Sequence, residues 1–289
     1  MKAKKNQAER QIWTPPPPMT SQEFKTIGEF IQSEFGIKMP PAKKIMLQSR
    51  LTKRLRAMNM TSYREYQEYL FSPEGMDREV PHMIDVVTTN KTDFFREPSH
   101  FDLLYDEILP EWLAAYQGNR NFSVWSAGCS TGEEPYSLAM ILDKFAANHP
   151  DFNFDILGTD ISNQVLEKAR QAIYPETKVE AVPHQLKKNC LLRSRDRVKK
   201  QVRIVPALRK KVTFRRLNLM EQFSWPGTKD VIFCRNVIIY FERPVQEELF
   251  KKCCNCLKKG GYLFIGHSET LSGMRLPLQQ RCPTVYERI

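Results

Sequence analysis

Residues 122–138, FSVWSAGCSTGEEPYSL, constrain the fold of this chain more than any other stretch. They begin with an apolar, β-favouring run and continue into a loop of small residues. Gly128 and Gly132 allow backbone angles that other residues avoid, and Pro135 suits the first turn of a helix. The stretch therefore predicts a strand, a tight loop and a helix, which is a unit that binds ligands at the carboxyl end of its strand.

The residues that follow the loop indicate the kind of ligand. A phosphate-binding loop carries Lys and then Ser or Thr after its last glycine, whereas Glu133 and Glu134 stand at this place. Two carboxylates repel a triphosphate, but they accept hydrogen bonds from hydroxyls and attract an ammonium or a sulfonium. The loop therefore favours S-adenosylmethionine over a nucleoside triphosphate. By itself, such a loop also fits an ordinary α/β turn.

Composition limits the class of protein. A chain of 289 residues has room for one large domain or two small ones. It has no apolar run near the ~20 residues of a membrane span, and its first residues, MKAKKNQAERQIW, lack the apolar core of a signal peptide. We expect a soluble cytoplasmic protein. The seven cysteines show no metal-ligand spacing, so we predict buried thiols and no metal site.

The first part of the chain reads as a flexible proline-rich tail over residues 1–19 and a helical domain over residues 20–88. Thr20-x-x-Glu23 and Ser62-x-x-Glu65 are capping boxes that predict two helix starts. A linker segment and a helix at 89–121 lead into the second domain. Within the linker, Arg96 offers a planar fork that suits a carboxylate, although it equally suits an ordinary salt bridge.

A helix predicted over residues 41–58 carries cations and no acid. Such a run usually forms a solvated helix face, but the complete absence of acids equally indicates a surface for an acidic partner. Its cations are Lys43, Lys44, Arg50, Lys53, Arg54 and Arg56.

From residue 122 to 289, strands and helices alternate, which predicts an α/β domain with a sheet like that of methyltransferases. Asp160 ends the second strand, where an acid can hold ribose hydroxyls. Arg235 and Asn236 end a later strand at the same edge of the sheet, and Tyr240 follows them.

A basic segment at 175–212 interrupts this alternation. The stretches VRIVPAL and KKVTF predict strands, so we expect a small antiparallel subdomain and one strand of the main sheet. Residues 187–216 hold thirteen Lys and Arg against one acid, Asp196, so this stretch accounts for the chain's net charge of +11. Such a concentration of charge suggests a docking surface for an acidic partner.

Several blocks together resemble one family. TTNKTDFFRE, VWSAGCSTGEEPYSLAMIL, GTDIS, LNL, DVIFCRNVIIYF and GGYLFIGHSE occur in order, and the chain is identified from them as a member of the CheR family, the chemotaxis receptor glutamate methyltransferases. The resemblance implies an all-α N-terminal domain, a Rossmann-like S-adenosylmethionine-dependent methyltransferase domain and an inserted small antiparallel β-subdomain. It also implies glutamyl methyl ester formation on the cytoplasmic helical bundle of chemoreceptors.

The resemblance further implies the site. Arg96 and Tyr240 are expected near the transferred methyl group and the acceptor carboxylate, and the basic helix at 41–58 is expected to meet the receptor. We expect a monomer, recruited to receptor arrays, that binds no nucleic acid. The cofactor contacts implied are Asn90, Thr92, Arg96, Glu134, Asp160, Asn218, Leu219, Arg235 and Asn236.

Two features leave alternatives open. Family members that dock a receptor's C-terminal pentapeptide carry a glycine in a loop of the β-subdomain, and the matching stretch here, LLRSRDRVKKQ, has none. The basic segment also suits an RNA methyltransferase, but Arg235-Asn236-Val237 lacks the prolines that such enzymes commonly show at this strand end. An adaptor without enzymatic activity is disfavoured, because Arg96, Glu134 and Asp160 are all present.

Overall fold

The computed structural model describes residues 13–115, 121–196, 198–225 and 227–289. They form two compact units: one contains residues up to Ser33 together with Met39–Val87, and the other contains Glu34–Lys38 and Thr88–Ile289. Residues 1–12 of the predicted tail and Arg197 of the basic segment lie outside the described residues. In the described part of the chain, no helix is both long and apolar enough to cross a membrane.

The first unit is helical, as the sequence predicts. Both predicted N-caps form: the amide of Glu23 donates to Thr20 Oγ1 at 3.2 Å, and the amide of Glu65 donates to Ser62 Oγ at 3.1 Å. The carboxylate of Glu23 accepts the amide of Thr20 in return, whereas that of Glu65 accepts the amide of Thr61. The elements are α1 (Ser21–Phe35), a 3₁₀ turn (Pro41–Lys43), α2 (Lys44–Ala57), α3 (Tyr63–Leu70), α4 (Pro73–Arg78) and α5 (Val80–Val87).

A buried ion pair joins the helices of this unit. Arg54 on α2 donates to both carboxylate oxygens of Glu79 at 2.8 and 2.7 Å, and the hydroxyl of Tyr66 donates to the same carboxylate at 2.9 Å. The side chain of Glu79 is only 3% exposed, so its charge depends on these donors.

The second unit is built on a seven-stranded sheet in the order β6-β2-β1-β7-β8-β10-β9. The first five of these strands run parallel, and β10 is antiparallel to both of its neighbours. The strands are β1 (Asn121–Ala127), β2 (Asn153–Asp160), β6 (Val212–Arg216), β7 (Lys229–Cys234), β8 (Leu257–Ile265), β9 (Leu278–Cys282) and β10 (Val285–Arg288).

The middle strands are buried on both faces, as a parallel sheet between helices requires. Successive side chains of β1 enter opposite cores, since Val124 packs in one apolar cluster and Trp125 in the other. The helices are α6 (Ser99–Leu103), α7 (Leu109–Ala115), α8 (Glu133–Ala146), α9 (Asn163–Gln171), α10 (His184–Cys190), α11 (Pro206–Arg209) and α12 (Arg243–Cys256), with a π-helical turn (Leu104–Ile108) between α6 and α7.

The basic segment forms the expected second sheet. Its three antiparallel strands are β3 (Ile173–Pro175), β4 (Leu191–Arg193) and β5 (Gln201–Ile204), in the order β3-β5-β4. The strand predicted in VRIVPAL is confirmed for its first three residues, which belong to β5, but it ends at Ile204, because Pro206 starts α11, where its missing N–H costs nothing. The fold class predicted from sequence is confirmed.

Replacing Glu79 by Gln should destabilise the chain by about 3 kcal/mol, because it leaves the half-buried guanidinium of Arg54 without its charged partner. Urea unfolding followed by circular dichroism measures this change. Glu68→Gln is the matched control: its pair with Arg64 is 66% and 84% exposed, and we expect a change below ~0.5 kcal/mol. Equal losses in the two variants would contradict the buried pair's role.

Candidate functional site

The glycine loop between β1 and α8 is bound to the carboxyl end of β2. The amides of Gly128 and Cys129 donate to the carbonyl of Thr159 at 2.8 and 2.9 Å. The amide of Ser130 donates to Asp160 Oδ2 at 2.9 Å. The first amides of the loop are therefore already used within the protein, so they do not form a cradle for phosphate.

Asn90 lies beside this loop, because its carbonyl accepts the hydroxyl of Ser130 at 3.0 Å. The loop also approaches the segment after β7 closely. Gly128 has a φ of +76°, and a Cβ built on it would lie 2.4 Å from Val237 Cγ2. Only glycine suits this position, both for its φ and for the space.

Glu134, in the first turn of α8, is bound from two sides. Its Oε1 accepts the hydroxyl of Ser126 at 2.7 Å, and its Oε2 accepts Arg235 Nε at 2.7 Å. Arg235 follows β7 directly, and its side chain is 2% exposed. The guanidinium lies over the rings of Phe101 and Phe233, each with its centroid 5.4 Å away.

Arg235 also holds the backbone around Arg96. Its Nη1 donates to the carbonyl of Arg96 at 2.8 Å and reaches Glu97 Oε2 at 3.3 Å. Phe95 and Glu97 have φ angles of +53° and +58°, the left-handed region that costs ordinary residues energy. The amide of Phe95 donates to Ser137 Oγ at 3.0 Å, which holds the segment from the other side. Arg96 thus sits on a backbone that its neighbours keep in an unfavourable conformation.

His100 is part of the same network. Its Nδ1 accepts from Arg235 at 3.0 Å, and its Nε2 lies 2.8 Å from Thr284 Oγ1. Glu97, His100 and His267 lie close enough to share a metal ion. However, both ring nitrogens of His100 already have hydrogen-bond partners, and the guanidinium of Arg235 contacts both Glu97 and His100. These residues therefore bind Arg235 and not a metal ion.

The charges in this network shift the ionisation of its members. Burial and, after it, the charge of Arg235 lower the pKa of His100 to about 4, and the opposing charge of Glu97 only partly offsets them. For Glu97, burial acts to raise the pKa, but Arg235 and the amides of His267 and Asn236 outweigh it and leave the pKa below its usual range. The network therefore holds an ionised carboxylate and a neutral imidazole near pH 7.

The remaining residues expected at the site lie on two loops. Asn236 donates from Nδ2 to Glu97 Oε1 at 3.3 Å. Tyr240 is half-buried in a 3₁₀ turn (Ile238–Tyr240), and its carbonyl accepts the amide of Lys38 at 2.9 Å. The side-chain amide of Asn218 donates to the carbonyl of Glu34 at 2.8 Å.

Leu219 is half-buried in the apolar cluster around Trp125, and its carbonyl accepts Lys252 Nζ at 2.6 Å. The carbonyl of Thr92 accepts Lys178 Nζ at 2.8 Å. The contacts thus bring to one edge of the sheet Asn90, Glu134, Asp160, Arg235, Asn236 and the backbone of Arg96, whose guanidinium donates to the carbonyl of Lys91 at 3.3 Å. They do not connect the side chains of Thr92 and Leu219 to it.

The basic side chains of the predicted helix at 41–58 fall into two groups: those that bind other residues of the first unit, and those that are exposed. Arg54 is held by Glu79, and Arg50 donates to the carbonyl of Val87, so these two side chains stabilise the first unit. Lys53 and Arg56 are exposed, whereas Lys43 and Lys44 are partly buried. Ile45, on the same helix, is 81% exposed.

Three carboxyl or hydroxyl groups at the site were not predicted from sequence: Glu97, Ser137 and Glu269. Each lies within a block that resembles the family, Glu97 and Glu269 in loops and Ser137 on α8, but the local sequence gives no sign of the distant donor from which such a side chain accepts a hydrogen bond. His267 also contacts this network. Its backbone amide donates to Glu97 Oε1 at 3.3 Å, and its ring packs edge-on against His100.

Comparison with known proteins gives a consistent result. Residues 90–286 match the family described as CheR methyltransferase, SAM binding domain, and residues 22–88 match CheR methyltransferase, all-alpha domain. A chemotaxis protein methyltransferase of Borreliella burgdorferi is 39% identical over 93% of this chain and 95% of its own length. One of Escherichia coli is 36% identical over 93% and 91%. Chemotaxis protein methyltransferase 2 of Pseudomonas aeruginosa is 39% identical over 86% and 87%.

The neutral state of His100 predicts a pH dependence of stability. The folded chain binds its proton near pH 4, whereas the unfolded chain binds it near pH 6.5, so the contribution of His100 is present above pH 6.5 and is lost as the pH falls toward 4. We expect His100→Asn to flatten the fall in urea midpoint over this window. His184→Asn, which changes an exposed histidine on α10, should keep the wild-type slope. An unchanged slope in His100→Asn would refute the prediction.

Proposed function

Since this chain belongs to the CheR family of chemotaxis protein methyltransferases, we propose that it transfers the methyl group of S-adenosylmethionine to glutamate side chains on the cytoplasmic domain of chemoreceptors. The product is a glutamyl methyl ester, so the enzyme is a protein-glutamate O-methyltransferase. One observation carries the proposal: within a CheR domain, the carboxylates of Glu134 and Asp160 and the segment that bears Arg96 converge at the carboxyl edge of a parallel sheet.

The residues at this edge fit S-adenosylmethionine better than a nucleotide triphosphate. The amides of Gly128, Cys129 and Ser130 donate to residues of β2. A phosphate at this place would therefore face carboxylates and few free hydrogen-bond donors. A carboxylate has about four acceptor sites, so two protein donors leave Glu134 able to accept from an ammonium. We propose that Asp160 takes the ribose hydroxyls, and that Asn90, Thr92, Arg96, Asn218, Leu219, Arg235 and Asn236 complete the cofactor site.

The proposed reaction requires no proton transfer to or from a protein side chain. S-adenosylmethionine supplies a methyl group on a positively charged sulfur. A glutamate acceptor has an ordinary pKa near ~4.3, so it is already a nucleophile at neutral pH. His100 is neutral but has both ring nitrogens engaged, which is consistent with a site that needs no general base. The side chains must instead align the reactants and exclude water.

Arg96 and Tyr240 are the side chains proposed for this alignment. The guanidinium of Arg96 can hold the cofactor carboxylate or aim the acceptor, since both are planar anions that suit its fork. The hydroxyl of Tyr240 can donate one orienting hydrogen bond without the full charge of an ion pair. The acceptor therefore keeps its nucleophilicity.

We also propose that the exposed side of α2 docks the receptor. Lys53 and Arg56 are exposed cations on this helix, and the exposed Ile45 adds an apolar contact. A receptor segment rich in glutamate would complement these charges. We expect the enzyme to act in the cytoplasm at receptor arrays.

Methyl-labelled S-adenosylmethionine tests the function directly. The protein is incubated with membranes that contain the host's chemoreceptors and, in a parallel tube, with total RNA, and both are then treated with mild base. Label released from receptor as methanol is expected, because glutamyl methyl esters hydrolyse in base. Base-stable label on RNA, with none on receptor, would overturn the substrate class.

Arg96→Ala should reduce methyl transfer by at least ~10³-fold, because it removes a group that aligns the reactants. Tyr240→Phe should reduce kcat by about 10²-fold and leave the affinity for S-adenosylhomocysteine, measured by calorimetry, within ~3-fold. Arg64→Ala and Tyr69→Phe, in the helical unit, are the controls and should retain wild-type rates. Wild-type turnover in Arg96→Ala would sink its proposed role.

The double variant Lys53→Gln, Arg56→Gln should raise the KM for receptor by roughly tenfold, because it removes two exposed charges from α2. Its kcat should stay near wild type, since the change lies outside the cofactor site. Arg64→Gln with Arg78→Gln is a matched neutralisation of two exposed cations on α3 and α4. If this control raises the KM equally, the effect reflects net charge, and α2 is not the docking surface.

A further inference from the structure

The segment after β7 has an anchor that the mechanism above does not use. β7 and β8 are parallel neighbours, with Cys234 paired to Ile265, so the residues that follow each strand leave the sheet side by side. From the β8 side comes Glu269, a residue that is 7% exposed. From the β7 side comes the loop 235–240, with Asn236 at its start and Tyr240 at its end.

The carboxylate of Glu269 accepts the backbone amides of both segments. Its Oε2 accepts from Gly266 at 2.6 Å and from Asn236 at 2.9 Å, and its Oε1 accepts from Ile238 at 3.0 Å. These amides have left the strand ladders, so the carboxylate replaces the partners that the sheet no longer provides.

The packing around this carboxylate leaves no room for adjustment. A Cβ built on Gly266 would lie 2.3 Å from Asn236 Nδ2 and 2.9 Å from the backbone nitrogen of Asn236. Asn236 itself has a φ of +59°, in the left-handed region. The loop therefore passes close over the end of β8 in a conformation that needs support.

We propose that Glu269 is a positioning residue for methyl transfer: it fixes the 235–240 loop and so places the Tyr240 hydroxyl and the Asn236 side chain. This inference rests on the proposed function, because it assigns Glu269 an effect through those two residues. Glu269 acts as an acceptor for backbone amides and does not touch the reactants.

Two substitutions separate the charge of the Glu269 side chain from its length. Glu269→Gln keeps the size but turns an NH₂ group toward backbone N–H donors, so at least one of them loses its acceptor. Glu269→Asp keeps the charge but shortens the reach by one methylene. Asp230→Asn is the matched control: Asp230 is a buried carboxylate at the opposite end of β7, where it accepts the amide of Ser123 and Nε1 of Trp112.

The test is a double-variant cycle in which kcat is measured at saturating S-adenosylmethionine. We expect Glu269→Gln to lower kcat on the order of 30-fold in the wild-type background, but by no more than ~3-fold in the Tyr240→Phe background. The KM for S-adenosylmethionine should rise about tenfold through Asn236. Asp230→Asn should change kcat by the same small factor in both backgrounds. Thermal unfolding of each variant shows that it folds.

The results decide whether Glu269 positions the 235–240 loop for methyl transfer or only stabilises the fold. An equal loss of kcat from Glu269→Gln with and without the Tyr240 hydroxyl, or the same non-additivity in Asp230→Asn, overturns the positioning role and leaves a structural one. If Glu269→Gln does not fold, the same cycle with Glu269→Asp decides, by the same criterion of non-additivity. If the wild-type protein forms no base-labile methyl ester on receptor, the proposed function itself fails, which is a different result from additive variants in an active enzyme.

Discussion

The buried guanidinium of Arg235 is the contact on which the candidate site depends. It joins three parts of the second unit: the first turn of α8 through Glu134, the 95–97 segment through the Arg96 carbonyl and Glu97, and the region of His100. A buried charge is costly unless it is fully paired, and here two carboxylates and two aromatic rings surround it. Because the guanidinium has several donors in one plane, it can hold backbone and side chains together in fixed positions.

The strained backbone near the site is held in place by hydrogen bonds from neighbouring side chains. Phe95, Glu97 and Asn236 all have positive φ angles, and each is held by a side chain from another element. Such angles persist only where the surroundings provide more contacts than the strain costs. The site therefore depends on the packing of whole loops: Arg235 and Ser137 hold the segment that bears Arg96, and Glu269 holds the loop that ends at Tyr240.

The sequence predicts the fold well because the fold follows from local patterns. The glycine loop, the apolar strands and the capping boxes each act over a few residues, and every one has its counterpart in the structure. The failures come from long-range contacts. Arg54 belongs to the predicted cationic face, yet its partner Glu79 lies 25 residues away and ties it into the first unit. Glu97 and Glu269 were missed for the same reason, since their acceptor roles exist only after β7 and β8 are side by side.

The charges are segregated in a way that suits the proposed chemistry. Acidic residues line the edge of the sheet: Glu134, Asp160, Glu97 and Glu269 all bind protein donors there, and Arg235 is the buried cation among them. A cationic cofactor is attracted by such an edge, whereas an acidic receptor segment is repelled. We therefore propose that the acceptor is attracted by cations located elsewhere, such as the exposed ones of α2 and of the basic segment at 187–216. Only its reacting carboxylate then needs to approach the acidic edge, where Arg96 and Tyr240 are the groups proposed to receive it.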